Sequence, residues 1–99
     1  MLELLCFHAQ QAAEKALKAV LIGQGIPFPK THNLRVLLDL LPAQINVTED
    51  VQASASLTDY AVSTRYPGIF EAVTEEEYQE AIRLAQSAVN WAKGLIQGI

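Results

Sequence analysis

Apolar and polar positions over residues 2 to 23 repeat with the period of an α-helix. Ala9, Ala12, Ala13, Ala16 and Leu17 fall on one side, and His8, Gln10, Gln11, Glu14, Lys15 and Lys18 within one opposing arc of roughly 160°. The stretch CFHAQQAAEKALKA, residues Cys6 to Ala19, therefore predicts a close-packed helix with one chemically loaded face. Gly23, Gly25, Pro27 and Pro29 end the periodicity. Leu34 to Leu41 read as a short second helix, with Thr31 or Asn33 as its cap and Pro42 as its stop. A third is expected from Thr48 to about Thr64, after which Pro67-Gly68 breaks the chain.

The last helix has the clearest start. Thr74 is followed at the third position by Glu77, and Glu75 and Glu76 add negative charge to the first turn. It should run to about Gln97, with Tyr78, Ala81, Ile82, Ala85, Ala88, Val89, Ala92 and Ile96 as the seam of an antiparallel bundle. No segment alternates as a strand, and no repeat or linker divides the chain. The expected fold is one all-α domain over residues 1–99, an up-and-down antiparallel helical bundle of about four helices.

Helical patterning is already running at Leu2, without a cap, and Leu4 and Phe7 lie inside the polar arc, where a neighbouring helix would cover them. An exposed apolar groove is expected there. A homodimer is the simplest way to cover it.

Composition narrows the setting. Ninety-nine residues with 51% hydrophobic content suit a single core. The one cysteine, Cys6, excludes an internal disulfide and points to a reducing, cytoplasmic environment. No apolar run approaches the roughly 18 residues needed to span a membrane. A net charge of −4 disfavours an RNA-binding surface built on many phosphate contacts. A local basic pocket on an acidic body is still compatible with Lys15, Lys18, Lys30, Arg35 and Arg65.

Candidate chemistry lies on three segments. His8, Gln11, Lys15 and Lys18, spaced by 3, 4 and 3, form a ridge that suits an anion such as a nucleotide phosphate. The plainer reading makes Glu14 and Lys18 an ordinary surface pair, and it is preferred for those two. His32, between a proline loop and a short helix, suits proton transfer or a phosphate contact, or else locks the loop onto a backbone group or a carboxylate. Arg65, ahead of Tyr66-Pro67-Gly68, suits a phosphate or, equally, Glu14 across the bundle. His8, His32 and Cys6 show no zinc spacing, and there is no glycine-rich phosphate loop, so no metal and no cofactor are assigned.

Taken in order and spacing, FHAQQAAEKALKA, Thr31-His32-Asn33-Leu34 and Arg65-Tyr66-Pro67-Gly68 resemble the HEPN domain family, small prokaryotic helical bundles often encoded beside a minimal nucleotidyltransferase. The resemblance covers nearly all of residues 5 to 95. It implies a further helix of about twenty residues ahead of the CFHAQQ segment, so the expectation is a chain shorter than its family at the amino end, either truncated or with a second copy filling the gap. It also implies a nucleotidyltransferase partner in a toxin–antitoxin-like pair and a nucleotide ligand. In the ribonuclease branch of that group an arginine is followed four to six residues later by a histidine. Here no histidine follows Arg35, Arg65 or Arg83, and His32 precedes Arg35 by three. The expectation is therefore a noncatalytic nucleotide- or partner-binding module, with His8, Gln11, Lys15, Lys18, His32, Arg65 and Tyr66 as ligand contacts. The alternatives are an endoribonuclease toxin acting through Arg65 and His32, and a purely structural oligomerisation remnant.

Overall fold

In the computed structural model, which describes residues 2–62 and 73–97, the alanine-rich opening forms an unbroken helix, α1 (Leu2–Gly23). It stops where Gly25 turns into the left-handed region at φ 71°. There the Ile26 amide reaches back to the Leu21 carbonyl at 2.9 Å and the Gly25 amide to the Ile22 carbonyl at 3.0 Å. This is the Schellman closure, and only glycine adopts the required φ without strain.

The second helix, α2 (Leu34–Asp39), is two residues shorter than expected, and Asn33 is its cap: Asn33 Oδ1 accepts from the Arg35 amide at 2.9 Å. The single third helix expected over 48 to 64 is corrected to three pieces: α3 (Glu49–Ala53), a 3-10 turn (Ser54–Leu57) and α4 (Thr58–Val62). The cause is local competition for backbone acceptors. The buried Ser54 hydroxyl donates to the Val51 carbonyl at 2.5 Å, and the chain tightens from that point. Thr64 lies outside the described residues. The last helix, α5 (Glu75–Ile96), starts with the expected capping box: Thr74 Oγ1 accepts from the Glu77 amide at 3.1 Å, and Glu77 Oε1 from the Thr74 amide at 3.0 Å.

With α3, the 3-10 turn and α4 taken as one bent rod, the architecture is a bundle of four helical rods, and the described residues contain no strand. The packing gives the directions. Glu3, early in α1, accepts from the Val73 amide just ahead of α5 at 3.0 Å, whereas Val20 and Ile22 share a groove with Leu95 and Ile96 at the other end. Thus α1 and α5 run side by side in the same direction, and they form the most extensive contact in the molecule. The bent rod runs against both: Asp50 of α3 meets Arg83 of α5 at 3.0 Å, and Tyr60 of α4 lies in a cleft with Glu77 near the start of α5.

The core is built from Cys6, Ala13, Leu17 and Leu21 of α1, Leu34 and Leu37 of α2, Val51, Leu57, and Ala81, Leu84 and Ala88 of α5. The alanines let the two long helices approach closely. On α5 the buried positions occupy a narrow arc of roughly 100°. Leu84 is inside it, while Ile82 and Ile96, expected in the seam, are 37% and 56% exposed. Trp91 fixes the connection between α2 and α3, its indole Nε1 donating to the Asn46 carbonyl at 2.9 Å. Among the described residues no helix is long and apolar enough to cross a membrane.

Candidate functional site

The buried side of α1 spans an arc of roughly 140°, and it includes two polar residues, Gln10 between Leu17 and Leu21 and Glu14 at the edge. Gln10 is completely buried and Glu14 is 5% exposed. The expectation that all six polar residues share one outward face is corrected accordingly. The loop after Gly25 folds back along α1 and supplies partners for both side chains, so burial leaves neither unsatisfied.

Glu14 is the centre of the arrangement. Its Oε1 accepts from Gln10 Nε2 at 3.1 Å and contacts His32 Nδ1 at 2.8 Å. Its Oε2 accepts from Lys18 Nζ at 2.9 Å. Gln10 Nε2 also donates to the His32 backbone carbonyl at 2.9 Å, and Gln11 Nε2 donates to Gln10 Oε1 at 2.8 Å. One turn of α1 thus holds both the side chain and the backbone of His32. Burial pushes the Glu14 carboxyl up, but the hydrogen bonds from Lys18, His32 and Gln10 together outweigh it and hold the group below its ordinary value. Glu14 is therefore an ionised carboxylate in the fold.

The outer part of the cluster is open. The His32 side chain is 69% exposed, and the Lys18 ammonium lies 5.7 Å from the centre of the Phe28 ring, a cation–π contact that places it beside the returning loop. Asn33 then starts α2, and the Leu34 amide donates to Thr58 Oγ1 at 2.9 Å, which ties this loop to α4. Three elements therefore converge on one histidine.

Of the seven sequence-level candidates, the fold gathers Gln11, Lys18 and His32 around Glu14. His8 is exposed and makes an edge contact with the Phe7 ring, 5.9 Å between centroids, and takes no part in the cluster. Lys15 is likewise exposed, with no bond to the Glu14 group. Arg65 and Tyr66 lie outside the described residues. The Glu14–Lys18 pair forms as read, but its acid is buried. It is not the ordinary surface pair that was preferred. His32 reaches a carboxylate, one of the structural roles weighed for it. Arg35, three residues after His32, is held by Gln52 instead: its Nη1 bonds Gln52 Oε1 at 2.8 Å and its Nη2 the Gln52 carbonyl at 3.2 Å. The sequence reading missed Gln10 as a site residue. Its only signal was its position at the edge of the apolar arc.

The residues joined by Glu14 come from the first two of the three resembling segments. A family model described as the HEPN domain matches residues 1–95. The chain belongs to the HEPN domain family. No curated protein and no solved structure matches the chain. In this HEPN domain, then, the polar residues of the FHAQQAAEKALKA helix serve first to anchor the Thr31-His32-Asn33-Leu34 segment, and they leave the His32 imidazole facing solvent.

Proposed function

We propose that this HEPN domain is a noncatalytic binding module that takes a nucleotide at the His32 side of α1, pairs with itself, and acts with a separate nucleotidyltransferase protein. The observation that carries the noncatalytic reading is the company His32 keeps. It contacts a carboxylate, and the arginine nearest to it in sequence is bonded to Gln52, so no guanidinium joins the imidazole among the described residues. Phosphate-transfer chemistry on RNA needs charge stabilisation beside the proton-transfer group. Exposed His32, Lys15 and Lys30 offer donors to an anionic ligand. The ligand class and the nucleotidyltransferase partner come from the family resemblance. Self-pairing is supported by Leu4 and Ile22, 53% and 68% exposed, two apolar residues on the same outer stripe of α1.

The test is an ATP titration by calorimetry, with Lys18→Ala and Arg65→Ala variants whose folding is verified by circular dichroism. Saturable binding by the parent protein, weakened in the folded variants, is expected, with no cleavage of RNA in a parallel assay. RNA cleavage together with growth arrest on expression, both lost in His32→Ala, would replace this reading with the endoribonuclease one. Light scattering checks the pairing: a dimer is expected, and Ile22→Glu should shift it toward monomer.

A further inference from the structure

We propose that His32 meets the nucleotide phosphate through Nε2 as an imidazolium whose Nδ1–H is held by Glu14, so that the contact forms only with the ring protonated. The inference rests on the nucleotide-binding reading above and names its contact atom, its positioning residue and its dependence on pH.

A carboxylate has no proton to donate, so the 2.8 Å contact between Glu14 Oε1 and His32 Nδ1 requires the hydrogen on Nδ1. This holds in both charge states of the ring. Nδ1–H is fixed, and Nε2 is the atom that gains or loses the titrating proton. Nε2 lies across the ring from Nδ1, and the side chain is 69% exposed, so that atom is presented outward. Gln10 holds the backbone carbonyl of the same residue, which fixes where the residue sits, while the Glu14 contact sets the orientation of the ring.

The consequence for a ligand follows from donor and acceptor types. Neutral His32 presents a lone pair at Nε2, and a phosphate oxygen is also an acceptor, so the two repel. The imidazolium presents an N–H and a charge, and the contact becomes a charge-assisted hydrogen bond. The charged groups around the ring are Glu14 and Lys18 from α1 and, on its own loop, the exposed Lys30. Arg35 of α2 is directed to Gln52 and Asp39, and the α4 residue that reaches this loop is the neutral Thr58. Lys18 and Glu14 cancel. Protonation at Nε2 therefore adds one positive charge to a cluster whose only other net charge is that of Lys30, which is the change an anion senses.

Two measurements test this on the full chain. Imidazole nitrogen NMR should show His32 Nδ1 as the protonated, pyrrole-type nitrogen throughout and Nε2 as the one that titrates. In Glu14→Gln that preference should weaken, which a merely space-filling role for Glu14 would not produce. A neutral His32 carrying its hydrogen on Nε2 in the parent protein overturns the proposal. Second, ATP affinity is measured from about pH 5.5 to about pH 8, the range in which imidazole titrates, in the parent protein and in His32→Gln. The titration of ATP itself is common to both and cancels. The parent should lose about tenfold more affinity than the variant across that range, the size of one charge-assisted hydrogen bond. Inorganic phosphate should show the same excess and adenosine none. Equal pH dependence in parent and variant, or an excess with adenosine, overturns this inference and leaves nucleotide binding standing. Absence of ATP binding by the parent at every pH overturns both.

Discussion

Two clusters in this bundle use the same chemistry, carboxylates bonded to cations, in opposite settings. On α5, Arg83 bonds both oxygens of Glu80 at 2.9 and 2.8 Å and Asp50 of α3 at 3.0 Å, with all three side chains about half exposed. On α1, Glu14 bonds Gln10, Lys18 and His32 while almost completely buried. The α5 cluster has the more numerous charged contacts, at similar distances, yet water competes for each of them. The α1 cluster cannot turn to water if a partner is lost. Distance alone does not rank the two; the cost of leaving a group unpaired does.

The comparison is broken most severely at Glu14. Glu14→Ala leaves Lys18 without its acceptor and the Gln10 amide with only the His32 carbonyl, and it opens a cavity; a loss of about 3 kcal/mol is expected in urea denaturation. A loss comparable to that of the Arg83 variant would mean that the Glu14 site is wetter than its burial indicates. Next comes Gln10→Ala, which removes the bond to the His32 carbonyl and should cost about 1.5 kcal/mol. Hydrogen exchange should then speed up across residues 30–35 before it changes in α5.

Acid gives a smaller, graded effect. The Glu14 carboxyl is held below its ordinary value, so its contribution is fully present above the unfolded carboxylate range and is lost as pH falls through the lowered folded value. Glu3, held at about 2 chiefly by the Val73 amide, follows the same sign. Thermal midpoints should therefore fall on acidification, less steeply in Glu14→Gln than in the parent. The smallest effect belongs to Arg83→Ala, which should leave the denaturation midpoint within error. Raised salt should also leave the parent's midpoint nearly unchanged, because the exposed cluster contributes little to lose.

The same contrast explains which parts of the structure were legible in the sequence. Elements whose signals are local were readable: Thr74 and Glu77 cap α5 from neighbouring positions, and Gly25 ends α1 by its own φ. The bend at Ser54 was not, because it depends on whether a serine hydroxyl takes a carbonyl three residues back, and helical spacing is silent on that. Nor was the burial of Gln10 and Glu14. They read as surface residues by type, and only the return of the loop carrying Phe28 and His32 encloses them. His32 was found as a candidate from its place between a proline loop and a short helix and from the chemistry of imidazole, but the residue that orients it was assigned to an ordinary i, i+4 pair. For α5, periodicity overcounted the seam, since the narrow arc that packs on α1 and the bent rod excludes Ile82 and Ile96.

The coupling between Glu14 and His32 is the centre of this account, and a double-mutant cycle on urea stability measures it directly. Glu14→Ala, His32→Ala and the double variant are compared with the parent; the Gln10 bond to the residue-32 carbonyl survives in the His32 variant, so the cycle isolates the side-chain contact. The account predicts a coupling of about 1 kcal/mol. Strict additivity of the two single effects would contradict it, and would mean that the imidazole is not held by the buried carboxylate in solution.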